Sequence, residues 1–128
     1  MKKSFEDKKV ENILSAYYED QLNVQAYQSK LNYYDQYKSI INKNINNEKE
    51  VESIKRKIAE INFKNKYLEQ IIKNLTGDEQ KYIECKYKRK LSVIEIQDEM
   101  FIKERTYYRI RKTVINHLKS LLIIDNQI

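Results

Sequence analysis

From Val51 to Leu75 the chain places an apolar side chain at alternating steps of three and four: Val51, Ile54, Ile58, Ile61, Leu68, Ile72 and Leu75, with Asn65 on the same seam. Read as heptads, Val51, Ile58, Asn65 and Ile72 are a positions, and Ile54, Ile61, Leu68 and Leu75 are d positions. A repeat of about 3.5 residues held this long is a coiled-coil seam. An earlier stretch shows the same rhythm in Val10, Ile13, Tyr17, Val24, Tyr27, Leu31, Tyr34 and Ile41, interrupted by Asp20 and Lys38. Between the two lies Asn42-Lys43-Asn44-Ile45-Asn46-Asn47, whose asparagines favour a turn or a cap. The simplest arrangement is an antiparallel helical hairpin. Two readings of its seam stay open. In one the hairpin closes on itself and is a spacer; in the other a face of it also joins a second subunit, giving a homodimer through the N-terminal helices. A turn centred near Ile45 makes Tyr27 a candidate hydrogen-bond partner for Asn65.

Composition supports helices throughout. The 128 residues include one glycine and no proline, the residues that punctuate hairpins and sandwich turns. The expected fold class is therefore all-α. The net charge of +6 favours an anionic partner without choosing its kind. No run is apolar and long enough to span a bilayer, and Met1-Lys2-Lys3-Ser4-Phe5-Glu6-Asp7 opens no signal-peptide core, so no membrane association is expected. Cys85 is the one cysteine, which excludes an intramolecular disulfide and fits a cytoplasmic setting.

The pattern changes at Leu75-Thr76-Gly77-Asp78-Glu79. Thr76 with Glu79 three places on reads as a capping box, so one helix stops and another starts. This divides the chain into a helical hairpin over 1–74 and a second domain over 75–128. The new helix reaches about Arg89. Ser92 with Glu95 repeats the box and opens a short helix from Val93 to about Met100. Phe101-Ile102-Lys103 makes a tight connection, and a last helix runs from Glu104 to about Leu122.

A short helix, a three-residue turn and a longer helix in a basic chain make a helix-turn-helix pattern. Ile96 and Met100 would pack the first helix inward, Ile102 would plug the turn, and Tyr107 and Ile110 would seat the second helix. The face left outward is basic, hydrogen-bonding and aromatic, as a major-groove reader requires. Arg105, Tyr108, Arg109 and Lys112 are candidates for base-edge or groove contacts, and Lys103, Thr106 and Arg111 for phosphate. Lys86, Lys88, Arg89 and Lys90 are a second cluster, readable as a phosphate clamp or as cations favourably placed at a helix C-terminus.

These residues resemble a known pattern. The stretch Leu75-Thr76-Gly77-Asp78-Glu79, Tyr87, Glu95-Ile96-Gln97-Asp98-Glu99-Met100-Phe101-Ile102 and Arg105-Thr106-Tyr107-Tyr108-Arg109-Ile110-Arg111 is similar to the region-4-type helix-turn-helix of sigma factors. It resembles more closely the small phage-encoded transcriptional regulators of the ArpU and RinA type. Many helix-turn-helix units carry Gly where Phe101 stands; an aromatic there is a feature of the ArpU-like group. The resemblance implies a transcriptional regulator that binds double-stranded DNA, reads the major groove with the helix 104–122, and acts on phage late genes, with bacterial RNA polymerase as a further partner. No segment resembles the promoter-melting region of a complete sigma factor. Two other readings remain: a packaging component like a terminase small subunit, and a helical module that binds a protein.

Nothing in the sequence points to catalysis, a metal or a cofactor. Cys85 has no nearby histidine, His117 stands alone beside the Leu118 seam, and no phosphate-loop, metalloprotease or nucleophile-elbow motif occurs. Tyr17, Tyr18, Tyr27, Tyr33, Tyr34 and Tyr37 lie on or beside a helical seam, so packing with hydroxyls reaching water is their expected role rather than base stacking.

Overall fold

The computed structural model describes residues 5–37 and 48–124, with side chains described as far as Leu122. The asparagine-rich segment 42–47, and Lys38 and Ile41 of the first seam, lie outside the described residues. Among the described residues the protein is all-helical, with no strand: α1 (Phe5–Gln36), α2 (Glu48–Lys73), α3 (Gly77–Ile83) running on into a π-helical turn (Glu84–Lys88), α4 (Val93–Met100) and α5 (Glu104–Ile124). No helix among the described residues is long and apolar enough to cross a membrane.

The chain forms two compact units. One spans Glu19–Tyr67; the other joins the residues up to Tyr18 with those from Leu68 onward. The division thus falls at Tyr18/Glu19 and Tyr67/Leu68, not between 74 and 75 where the capping signals change. The reason is side-chain burial. Val10, Leu14 and Tyr17 of α1, with Leu68 and Ile71 of α2, share one core with Tyr82, Ile83, Ile96, Tyr107, Ile110, Val114, Leu118 and Leu122. A capping box marks where backbone hydrogen bonding restarts, which need not be where a core ends.

In the Glu19–Tyr67 unit, burial follows the seams. Ile54 is buried, and Val24, Tyr27, Leu31, Tyr34, Val51, Ile58 and Ile61 are half-buried. The polar interruptions of the two seams meet each other. Asn65 Nδ2 donates to Asp20 Oδ2 at 2.9 Å, and Lys64 Nζ stands 3.5 Å from the same oxygen. The partner of Asn65 is therefore Asp20 rather than Tyr27, whose ring instead lies under Lys57 Nζ at 5.6 Å. Lys30 pairs with Glu50 at 2.7 Å.

In the other unit, each helix end has an identifiable cause. The exposed carbonyls that close α2 are met by Gln80, whose Nε2 donates to Leu75 O at 2.8 Å and Lys73 O at 3.2 Å. Thr76 caps α3 reciprocally: its Oγ1 accepts from Glu79 N at 3.2 Å, and Glu79 Oε1 accepts from Thr76 N at 3.3 Å. Ser92 and Glu95 repeat the exchange at the start of α4. After α3 the ladder widens, with Arg89 N donating five residues back to Glu84 O at 2.9 Å and Leu91 N to Cys85 O at 3.0 Å. Lys90 takes the left-handed conformation there, at φ 55°. Phe101 does the same at the end of α4, at φ 56°, where Ile102 N donates to Gln97 O at 3.0 Å and completes a Schellman-type close.

Candidate nucleic-acid interface

The side chains of α5 sort by helical period. Tyr107, Ile110, Val114, Leu118 and Leu122 are buried. Ile96 of α4 is buried in the same core, and Met100 and the turn residue Ile102 pack against it. This inward set holds the first half of α5 against α4 and leaves the other side of the helix in solvent.

On that solvent side stand Lys103, Arg105, Tyr108, Arg109 and Lys112, all exposed, with Thr106 half-buried among them. None of the four cations pairs with a carboxylate among the described residues. Tyr108 rests edge-on against the buried Tyr107, ring centres 5.0 Å apart, which orients its ring without burying it.

Arg111 belongs elsewhere. Its Nη2 lies 2.8 Å from Glu11 Oε1 of α1, with both side chains mostly out of water. Burial opposes its charge, but the hydrogen bond and charge of Glu11 more than compensate, so its pKa is raised. A guanidinium held in this way is a tie between α5 and α1, and it is not offered to phosphate. Farther along α5, Lys119 Nζ is held at 2.6 Å by Asp7. The cations of α5 therefore divide into an exposed, unpaired set near its N-terminus and an inward set committed to the opening turns of α1.

The second basic cluster divides as well. Arg89 donates to Glu99 at 2.7 Å, and Lys86 is half-buried. Lys88 and Lys90 are exposed and have no carboxylate partner among the described residues. Of the four clamp candidates, these two are the ones presented to solvent without an internal anion.

Two other singled-out residues acquire definite surroundings. Cys85 is fully buried in the π-helical turn. His117 Nδ1 lies 3.3 Å from Glu79 Oε2, so the carboxylate that closes the first capping box has a second partner on α5. Burial alone would push the Glu79 carboxyl up; the hydrogen bonds from His117 and Thr76 outweigh it and hold the pKa below the usual carboxylate value. No group of three or more His, Cys, Asp or Glu side chains among the described residues is placed to hold a metal ion.

The pairings Arg111–Glu11 and His117–Glu79 were not legible from sequence spacing. A helical wheel places Arg111 near the edge of the apolar face, but nothing local identifies a partner 100 residues away. No family model, curated protein or solved structure matches this chain.

Proposed function

We propose that the protein is a non-enzymatic, DNA-binding transcriptional regulator in which α4, the three-residue turn and α5 act as a helix-turn-helix. The observation that carries this reading is the split among the cations of α5. Arg105, Arg109 and Lys112, with Lys103 just before the helix, stay exposed and unpaired, interleaved with Tyr108 and Thr106, while the cations that face inward are neutralised. A solvated helix surface usually mixes both signs of charge evenly; over residues 103–112 four exposed cations stand against the single exposed carboxylate of Glu104. In this reading Arg105, Tyr108, Arg109 and Lys112 enter the major groove. Lys103 and Thr106 hold phosphate near the start of α5, where the helix dipole also favours an anion. Lys88 and Lys90 supply a second phosphate contact, and Arg111 is removed from the contact set.

For the Glu19–Tyr67 unit we read an antiparallel hairpin. The support is that the partners of Asp20, Tyr27 and Lys30 fall in number along α2, from Asn65 to Lys57 to Glu50. The resemblance to ArpU- and RinA-type regulators makes phage transcription the expected setting and bacterial RNA polymerase a further partner.

The test is selection of bound duplexes from random DNA, followed by fluorescence anisotropy on a selected and an unrelated duplex over a range of salt. Affinity should fall with salt at a logarithmic slope of about 0.9 per phosphate neutralised. Arg109→Ala should flatten the preference for the selected duplex by about 1–3 kcal/mol, the worth of a good bidentate base contact. Lys103→Ala should weaken both duplexes equally and lower the slope by about one. Binding that neither substitution alters at any salt would overturn the reading.

A further inference from the structure

Phe101 is 94% exposed although it is a large aromatic residue, and its backbone sits at φ 56°. That conformation disfavours any residue with a Cβ, and glycine would occupy it freely. The ring therefore adds backbone strain and gains no internal burial. Strain of this kind gathers at sites with a function outside the fold.

Phe101 does not stand alone. Ile94 is 70% exposed on the outer side of α4. Ile94 and Asp98, four residues apart, share one side of α4, and Leu91 and Phe101 flank the helix just before and just after it. Beside Asp98 lies an open groove of about 480 Å³, lined by Arg89, Leu91, Glu95, Asp98, Glu99 and Phe101. Arg89 is already held by Glu99 at 2.7 Å. Asp98 has no cation partner among the described residues, and Glu95 spends one oxygen on the Ser92 N–H. The groove is thus apolar in its anchors and acidic at its rim, within a chain of net charge +6.

We propose that this groove is a docking surface for a basic amphipathic segment of another protein. An apolar side chain of that segment would lie against Phe101 and Leu91, with Ile94 next to Asp98 extending the apolar contact, and its lysines or arginines would meet Asp98 and Glu95. Charge decides the class of partner. Glu95, Asp98 and Glu99 outnumber the groove's one cation, Arg89, which Glu99 already holds; the remaining negative charge repels phosphate, so Phe101 is not a wedge into nucleic acid, and it attracts a cationic peptide. The inference does not depend on DNA binding by α5.

The test titrates the isotope-labelled full chain with a synthetic amphipathic Lys/Leu peptide and follows backbone amide shifts. A Glu/Leu peptide and a Lys/Ser peptide of equal length serve as controls. The Lys/Leu peptide should bind with shifts centred on Leu91, Ile94, Asp98 and Phe101, and both controls should bind about tenfold more weakly or not at all. Phe101→Gly, Ile94→Ser and Asp98→Lys should each weaken binding by about tenfold. Phe101→Gly removes the strain, so its Tm should equal or exceed that of the parent, and the loss cannot be ascribed to unfolding. Its affinity for duplex DNA should be unchanged. The proposal is overturned if the Lys/Leu peptide does not bind, or if its affinity survives Phe101→Gly. Loss of DNA affinity in Phe101→Gly would also overturn it, since the ring would then be a nucleic-acid contact. So would a change from dimer to monomer, since the groove would then hold a second copy.

Discussion

Two places along α5 separate Arg109 from Arg111, which is about 200° of helical rotation. One guanidinium consequently stands in solvent and the other lies against Glu11 at 2.8 Å. Truncating one partner of a mostly buried pair strands the other charge, and the cost is that desolvation rather than the pair's own worth. Arg111→Met should therefore lower stability by about 2–3 kcal/mol in urea unfolding. It should leave the salt slope of DNA binding unchanged, the opposite of what its place in the basic sequence run suggests. Glu11→Gln should cost a similar amount, and the double variant less than the sum. Glu79 makes a second residue-scale prediction. Its pKa is lowered in the fold, so its contribution is present above the unfolded carboxylate value and is lost as pH falls through the folded one. Glu79→Gln keeps a side-chain oxygen for the Thr76 N–H and removes only the charge, so it should cost about 0.3–1 kcal/mol at neutral pH, the worth of an anion in the first turn of a helix. The gap to the parent should shrink as pH falls below the carboxylate range, read by urea midpoints at a series of pH values. A gap that stays constant into acid would mean the carboxylate charge contributes nothing.

At the scale of elements, the sequence was most informative where the cause is local. Both capping boxes follow from Ser or Thr with Glu three places on, and α4 closes at Met100, where the sequence pattern ends it. What was not legible depends on tertiary burial. Val10, Ile13 and Tyr17 look like one continuous seam with Val24, Tyr27 and Leu31, yet these three, together with Leu14 from outside the seam, pack with the C-terminal helices. Periodicity says which face of a helix is buried and is silent about what buries it. The π-helical turn at Glu84–Lys88 has no periodic signature either, since one extra residue per turn is too short an event to register. In the exposed set on α5, by contrast, spacing from Tyr107 and Ile110 was enough to place Lys103, Arg105, Tyr108, Arg109 and Lys112 outward. The buried tyrosines give the element-scale prediction. Burial, then their mutual charge, pushes Tyr82 far above the usual phenol range, and Tyr87 is raised mainly by burial too; Tyr18 is pushed up to about 12. A raised phenol pKa favours the neutral form in the fold. Stability is then intact below the unfolded value and is lost as pH rises above about 10. Tyr82→Phe should flatten that alkaline loss, measured by urea midpoints on either side of the phenol range.

At the scale of the whole molecule, the shared core makes the last helices dependent on the first. A fragment of residues 75–128 lacks Val10, Leu14, Tyr17, Leu68 and Ile71. Each buried aliphatic side chain of this size contributes about 1.5–3 kcal/mol, and domains are stable by only about 5–15 kcal/mol in all. The fragment should show no cooperative thermal transition by circular dichroism, and adding back residues 68–74 alone should not restore one. The backbone of the whole chain also carries a mismatch between residue and conformation. Its single glycine, Gly77, opens α3 without a positive φ and with open space where a Cβ would go, while the two left-handed positions among the described residues hold Lys90 and Phe101. The natural chain thus stands below the stability its own fold permits. Gly77→Ala, Lys90→Gly and Phe101→Gly each correct one such place, at about 0.5–1 kcal/mol apiece. For an engineer this is thermal headroom, open without repacking a single core side chain. For a chain that evolves, it is a reserve against which otherwise destabilising changes on the exposed face of α5 could be tolerated.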